Sequence, residues 1–459
     1  MDLAAQTADW DATETARRIA AGELSAAEAV AAAIARSREQ QPRIGAVIHE
    51  QYERAAQEAT SPPTEGCFAG VPTFIKDLED LAGTPTGFGT AAMPPMQPSA
   101  TAPSIRQFLQ STGSIALGKS TTAEFGLTAT TEPVHGEPTR NPRNLAYSSG
   151  GSSGGAAALV AAGVVPIAHG GDGGGSIRIP AAFCGLVGLK ASRGRLIDMA
   201  SAKRMPVNIA TYGVVTKTVR DTAAFFAAAE RVKPARGMPP IGHVEGPGPR
   251  RIRVGLFIDG PLSASVAPEV RAATLGAARH LEQLGHQVEE VPAPYSDSLV
   301  GDFVLHWAVM AAGVESIIKA HPKGDLTKLE PWTRALAGHA RGNWWRVPSA
   351  IWRLRRYAAR YAKGFAKYDV LLSPTTAAPA PPLGHLSTEL SYEEKLSRLL
   401  ELLPYTPVQN AAGAPAISVP FGVTDTGLPI GVQLAGPRGG ERRLLELAYE
   451  IEAEGRATP

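Results

Sequence analysis

Apolar residues recur at helical spacing over Thr13 to Ala21 and again over Ser25 to Glu39, so residues 11–60 read as helical. Ser25 followed three residues later by Glu28 matches a capping box at the start of the second helix. After the loop Ser61-Pro-Pro-Thr-Glu-Gly66 the helical period is lost. Phe68 to Ile75 predicts a buried strand ending at Lys76. A helix over Thr101 to Ser111 and a short strand over Ser114 to Leu117 follow. Thr128 to Tyr147 is polar, holds three prolines and shows no period. Loops of that length inside a domain are usually functional. Ser153 to Ala162 predicts a helix, Val164 to Ala168 a strand, Ser176 to Cys184 a helix, and Thr218 to Arg231 another.

The second half alternates. Gly237 to Arg250, rich in Pro and Gly, predicts a surface excursion. Arg253 to Ile258 reads as a strand, Pro268 to Leu284 as a helix stopped by Gly285, and His286 to Val291 as a strand. Strand–helix–strand alternation places the chain in the α/β class. Residues 300–368 read as helices rich in Trp and Arg. Asp369 to Pro374, Ala416 to Pro420 and Gly431 to Leu434 read as strands, and Glu441 to Glu454 as a closing amphipathic helix.

Composition narrows the function classes. The 459 residues, 44% of them hydrophobic, are enough for a large core, and roughly 150 residues per domain would give about three domains. A net charge of +2 implies no polyanion partner, so no nucleic acid is expected. The arginines at Arg353 to Arg360 read as a solvated helix face. Cys67 and Cys184 support neither a disulfide framework nor a metal site, and fit a reducing compartment. Met1 to Trp10 lacks the basic-then-apolar order of a secretory leader. The longest Ala/Val stretch, Ala156 to Ile167, falls short of the ~20 apolar residues of a bilayer span and contains Gly163 and Pro166. The expectation is a cytoplasmic chain without a membrane partner.

Candidate chemistry concentrates in two small-residue turns, Tyr147-Ser-Ser-Gly-Gly-Ser-Ser-Gly-Gly-Ala156 and His169-Gly-Gly-Asp-Gly-Gly-Gly-Ser-Ile-Arg-Ile-Pro180. Glycine is costly to order, so this density implies tight backbone geometry or close approach of a ligand. Serine hydroxyls beside uncovered amides fit a nucleophile with an oxyanion hole. Ser176 is the leading candidate, although a serine at a helix start also fits a plain N-cap.

Gly150-Gly-Ser-Ser-Gly-Gly155, Asp172-Gly-Gly-Gly-Ser-Ile-Arg178 with Pro180-Ala181, and the upstream Gly70-Val-Pro-Thr-Phe-Ile-Lys-Asp77 resemble, in this order, the motifs of the amidase signature family. The resemblance continues through Asn141-Pro142, Gly188-Leu-Lys190, Gly213 to Asp221, Ser373-Pro374 and Gly427 to Gln433. Because the motifs span 70–433 without a clear linker, one domain over 1–459 is expected. It would comprise a helical segment at 1–60, a signature core at 66–225 and a variable, substrate-side helical region at 300–410. The resemblance implies a single compact α/β domain whose central mixed β-sheet is flanked by helices on both sides.

It also implies a Ser-cisSer-Lys triad: Lys76 as base, Ser152 as bridge behind a cis Gly151–Ser152 peptide, and Ser176 as nucleophile. The amides of Gly173, Gly174, Gly175 and Ser176 become the candidate oxyanion hole, and Gly126 falls where the family lines its acyl pocket. Ser153, Asp172 and Arg178 would support the site. Free lysine titrates near ~10.4, so Lys76 must be buried to act as a base at neutral pH; the opposing reading pairs it with Asp77. Neither metal nor organic cofactor is called for. Gly171, where the family usually has threonine, and Ala191-Ser192, where it usually has Pro-Thr, could loosen the support around Asp172.

Two other motifs compete. Gly113 to Ser120 fits the P-loop string, but a helix precedes it where a strand is required. Gly151 to Gly155 fits a nucleophile elbow centred on Ser153, which needs a downstream acid and histidine; His286, His306 and His385 occupy no obvious catalytic loop. His135 and His169, near the turns, read as structural or pocket residues. The expected substrate is a small hydrophobic or aryl amide: its choice would come from the 126–147 loop and the variable 300–410 region, and the aromatic composition there, Phe303, Trp307, Trp344 and Trp345, favours an apolar group. Alternatives are a carbamate (urethane) or aryl-ester substrate, or a tRNA-dependent amidotransferase subunit. The resemblance permits a monomer or a homodimer.

Overall fold

The strands form two sheets that meet beside the glycine-rich turns. In the computed structural model, which describes residues 3–260, 265–295, 297–387 and 389–455, β1 (Val47–Glu50), β2 (Pro72–Lys76) and β3 (Ile115–Ser120) form a small sheet ordered β1-β3-β2. β2 runs parallel to β3, and β1 antiparallel to it. β4 (Arg140–Asn141) and β5 (Asn144–Ser148) make a two-stranded hairpin. The remaining strands are β6 (Ile167–Asp172), β7 (Val187–Lys190), β8 (Thr211–Thr216), β9 (Arg253–Leu256), β10 (Gln287–Glu290), β11 (Val370–Pro374), β12 (Ala416–Val423) and β13 (Pro429–Ala435). They build an eight-stranded sheet ordered β10-β9-β11-β13-β12-β7-β8-β6. β10, β9 and β11 are mutually parallel; every other pairing is antiparallel. The mixed α/β sheet of the sequence analysis is therefore present.

Side-chain alternation sends neighbouring strand residues to opposite faces. Val214, Leu372 and Val432 pack with helices Pro103–Thr112, Val219–Val232, Pro268–Gln283 and Glu441–Gly455 through Phe108, Phe225, Leu281 and Leu445. Val215 joins a different cluster, with Leu159, Ile177 and Ala181. Leu371 and Ala435 join a third, with Tyr357 and Tyr361 of helix Val347–Lys363. Helices thus cover both faces.

The two sheets abut along β2 and β6, where side chains cross the seam. The Thr73 hydroxyl donates to the Ile167 carbonyl at 3.0 Å, and the Lys76 main-chain N–H donates to His169 Nδ1 at 3.4 Å. This seam delivers the end of β2, with Lys76, to the end of β6, with Asp172.

The capping box forms as expected: the Glu28 amide donates to Ser25 Oγ at 3.1 Å, and the Ser25 amide to the Glu28 carboxylate at 2.8 Å. Several boundaries move. β6 begins at Ile167, because residues after helix Gly154–Ala161 close a turn in which Gly163 takes φ +72° and the Val164 amide returns to the Leu159 carbonyl. The helix expected from Ser176 begins at Arg178, since the Asp172 carboxylate holds the amides of Gly175 and Ile177 in a turn. The polar 128–147 stretch contains β4 and part of β5. The excursion at 237–250 folds back, burying Ile241 and Val244. Helix Asp297–Ala320 is long and apolar enough to cross a bilayer, contrary to the sequence expectation, yet it packs into the protein core through Phe303, Leu305, Ala308 and Ala311.

Candidate active site

Lys76 is buried at the end of β2, and its amine meets three oxygens: Ser152 Oγ at 2.7 Å, Ser153 Oγ at 2.9 Å and the Gly171 carbonyl at 3.2 Å. Ser153 fixes the protons. Its hydroxyl donates to the Gly171 carbonyl at 3.2 Å and accepts the Gly171 amide at 3.3 Å. With its proton so placed, Ser153 Oγ can only accept from Lys76. A neutral amine has two N–H groups and one lone pair. If the two N–H groups go to Ser153 and Gly171, the lone pair is left for the Ser152 hydroxyl. Burial pushes the Lys76 ammonium down to about 7, against an opposing pull from Asp172. The neutral form is thus accessible near neutral pH.

Asp77 does not pair with Lys76, contrary to the opposing reading. Its carboxylate takes the Gly87 amide and lies 3.5 Å from buried Lys119, whose ammonium also donates to Glu79 O and Thr86 Oγ1. Lys119 and Ser120 lie within β3, so the P-loop string is a strand and not a phosphate loop.

The peptide Gly151–Ser152 is cis. A Cβ at Gly151 would approach Thr130 N to 2.6 Å, which explains the glycine. The Ser152 carbonyl accepts from the Thr122 hydroxyl at 2.9 Å, and the Gly150 carbonyl from Thr131 Oγ1 at 2.9 Å. The Ser153 amide donates to the Ser176 carbonyl at 3.2 Å, which joins the two glycine turns. Ser176 is half-buried in the turn before helix Arg178–Cys184.

Asp172 shapes that turn. It accepts the Gly175 amide at 2.8 Å, the Ile177 amide at 3.2 Å and the Asn410 side chain at 2.9 Å, and it is bidentate to Arg178 at 3.0 Å each. Burial alone would raise its carboxyl; the Arg178 guanidinium outweighs this and holds it below the usual carboxylate range. Arg178 also donates to Gln409, Gln433, Asn410 and the Thr406 carbonyl. These bonds are all formed although residue 171 is glycine and residues 191 and 192 are Ala and Ser.

One candidate oxyanion donor is corrected. The Gly175 amide is already bonded to Asp172, so it cannot also serve an oxyanion; the amides of Gly173 and Gly174 are not engaged in this way. Gly175 has a different role. At φ +127°, a Cβ there would lie 2.4 Å from Thr406 Oγ1 and 2.6 Å from Ile179 Cδ1. Gly126, at φ +71°, faces Ser152: a Cβ would stand 3.3 Å from Ser152 Oγ. Beside it Phe125 and Phe88 hold positive φ values of 47° and 56°, stacked with ring centroids 5.7 Å apart. Such backbone strain in non-glycine residues clusters at ligand sites.

The aromatic surroundings divide. Phe303 lies against Gly174, where a Cβ would meet its ring at 3.3 Å. Trp307 packs edge-on against Trp332 at 5.5 Å, and Trp332 Nε1 donates to the Leu127 carbonyl, one residue from Gly126. Trp344 and Trp345, expected beside the substrate, are instead 70% and 61% exposed.

Among the described residues no histidine is hydrogen-bonded to Ser152, Ser153 or Ser176, so the nucleophile-elbow reading of Ser153 gains no base. His169 is buried between Phe108 and Tyr212, and burial, then the charges of Lys76 and Lys119, hold it at about 3. His286 binds Glu450, His306 accepts the Val207 amide, and His135 is exposed. The residues that sequence reasoning missed are His169 as acceptor for the Lys76 amide, and Thr406, Gln409 and Asn410 around Arg178. The last three lie on or next to helix Pro407–Ala412, a short apolar-polar run without a distinctive period.

A family model described as Amidase matches residues 28–445. The chain is 46% identical over 451 residues to a Mycobacterium tuberculosis protein named as an amidase, AmiC, covering 97% of this chain and 94% of that one. Among solved structures it is similar to a 6-aminohexanoate cyclic dimer hydrolase complexed with substrate (TM-score 0.88, 31% identity, 99% and 98% of the two chains covered). It is also similar to a bacterial aryl acylamidase described as an amidase signature enzyme (TM-score 0.83, 27% identity, 98% and 96% covered). The chain belongs to the amidase signature family. It is accordingly a hydrolase acting on carbon–nitrogen bonds.

Proposed function

We propose that this enzyme hydrolyses a hydrophobic or aryl amide through an acyl-enzyme on Ser176, with Lys76 as base acting through Ser152. The observation that carries this reading is the arrangement of three oxygens around the buried Lys76 amine. When the neutral amine gives its two N–H groups to Ser153 and Gly171, its lone pair is left for the Ser152 hydroxyl at 2.7 Å.

In the proposed cycle Ser152 passes its proton to Lys76 while accepting that of Ser176. Ser176 Oγ attacks the carbonyl carbon, and the oxyanion is received by the amides of Gly173, Gly174 and Ser176. The proton returns through Ser152 to the leaving nitrogen, the C–N bond breaks, and the amine departs. Water then cleaves the acyl ester by the same route. Gly126 leaves room beside Ser152 for the acyl group, and Phe303 with Trp307 supports an apolar substrate. The same tetrahedral chemistry would cleave a carbamate or an aryl ester. Within the 300–410 region, the part around Phe303 and Trp307 would supply the substrate side of the domain.

The test is a panel of p-nitroanilides, esters and carbamates given to the purified chain and to Ser176→Ala. The reading requires wild-type turnover of apolar anilides without partner subunits and loss of every activity in the variant. Wild-type activity confined to reactions needing added subunits would favour the amidotransferase alternative.

A further inference from the structure

The largest exposed apolar side chains gather on one basic face. Trp344, Trp345 and Trp352 are 70%, 61% and 60% exposed, the three most exposed large hydrophobic side chains among the described residues. Trp344 and Trp345 lie edge-to-face at 6.4 Å in the turn that leads into helix Val347–Lys363, and Trp352 stands on that helix with Arg356 stacked over it at 4.9 Å. The helix buries Ala350, Leu354, Tyr357 and Tyr361 against the protein and turns Trp352, Arg355, Arg356, Arg360 and Lys363 outward. From 331 to 368 the chain has nine Lys and Arg residues and no Asp or Glu. Acids from neighbouring elements neutralise two of these cations: Asp302 pairs with Arg353, and Glu315 with Arg341. Arg346, Arg355, Arg356, Arg360 and Lys363 have no acidic partner among the described residues.

We propose that this face docks on an anionic phospholipid bilayer, the indoles entering the headgroup region and the cations meeting lipid phosphates. Tryptophan favours that interfacial zone, because its ring is apolar while its N–H stays hydrogen-bonded, and adjacent Arg and Lys add attraction to anionic lipid. A second copy of the chain fits less well. A two-fold contact brings each patch onto itself, and here that would oppose unpaired cations across the axis. Nucleic acid fits less well too: single strands are held in grooves that stack bases on aromatic rings, whereas these indoles lie on an exposed turn and helix face, Trp344 and Trp345 edge-to-face and Trp352 under Arg356. The proposal is independent of the catalytic reading, since none of these residues touches Lys76, Ser152 or Ser176.

The experiment is sedimentation of the full chain with vesicles of phosphatidylcholine alone or mixed with phosphatidylglycerol, together with tryptophan emission. Wild type should bind only the anionic vesicles, with a blue shift, and should be released by salt. W344S/W345S/W352S and, separately, R355E/R356E/R360E should each bind at least about tenfold more weakly while keeping wild-type anilide hydrolysis. Failure of wild type to bind anionic vesicles, or unaltered binding by both folded variants, would overturn the proposal. So would a dimer that the Trp substitutions convert to monomer, or an oligonucleotide that binds this face while vesicles do not.

Discussion

The amine of Lys76 lies 2.7 Å from the hydroxyl of Ser152, inside the protein and one hydrogen bond from Ser153. Lys76→Met removes the proton acceptor while nearly keeping the side-chain length. General base catalysis contributes roughly 10²–10⁴-fold, so anilide turnover should fall by that order. A p-nitrophenyl ester should lose less, because its leaving group needs no proton. Steady-state kinetics on the two substrates reads the difference; equal losses would count against the relay.

The pH dependence follows from the direction of the Lys76 shift. Burial lowers the ammonium to about 7, so the active, neutral amine grows as pH rises through that value. kcat/KM should climb from pH 6 to 8 and then level. Burial also brings Lys190 to about 7, but its amine donates to the Ala191 carbonyl, away from the serines. A folded Lys190→Met variant should retain the rising limb.

His169 crosses the seam between the sheets to accept the Lys76 amide at 3.4 Å. His169→Phe keeps a ring between Phe108 and Tyr212 but removes that acceptor. A small displacement of Lys76 would lower kcat by about 10–10². Stopped assays at several pH values should show an altered rising limb and an unchanged KM; a purely structural role would lower stability and leave the limb in place.

Asp172→Asn removes the charge that faces Arg178 in a fully buried network. Breaking a buried pair by removing one partner costs about 3–5 kcal/mol. Chemical denaturation should register a loss of that order, with soluble expression reduced. Arg178→Lys should also destabilise, since an ammonium cannot reproduce the bidentate contact.

Gly126→Leu tests the wall beside Ser152. A Cβ there would sit 3.3 Å from Ser152 Oγ and 3.1 Å from Leu78 Cδ1, at a φ that disfavours side chains. Bulky acyl substrates should lose turnover more than acetyl ones. A uniform effect on both would place the acyl group elsewhere.

The helices and strands with a strong period were legible in the sequence: the capped helix at Ser25, the buried strand ending at Lys76 and the closing helix. So was the approach of Lys76 to Ser152 and Ser153, because the motifs carrying them are distinctive; the Gly171 carbonyl beside the amine was not foreseen. Legibility failed where tertiary contacts decide. The Asp172 carboxylate claims the Gly175 amide, and no local pattern distinguishes that amide from those of Gly173 and Gly174. His169 became a brace only because β2 and β6 abut across a seam that the sequence does not announce. Trp344 and Trp345 looked like pocket residues by composition, yet their turn faces outward.

The most direct measurement is to trap the covalent intermediate with a slowly deacylating activated ester and to locate it by peptide mass spectrometry. The expected adduct is a single acyl group on Ser176, forming faster as pH rises through about 7 and lost in Ser176→Ala. An adduct on Ser152, Ser153 or any other residue of the wild-type enzyme would contradict the assignment.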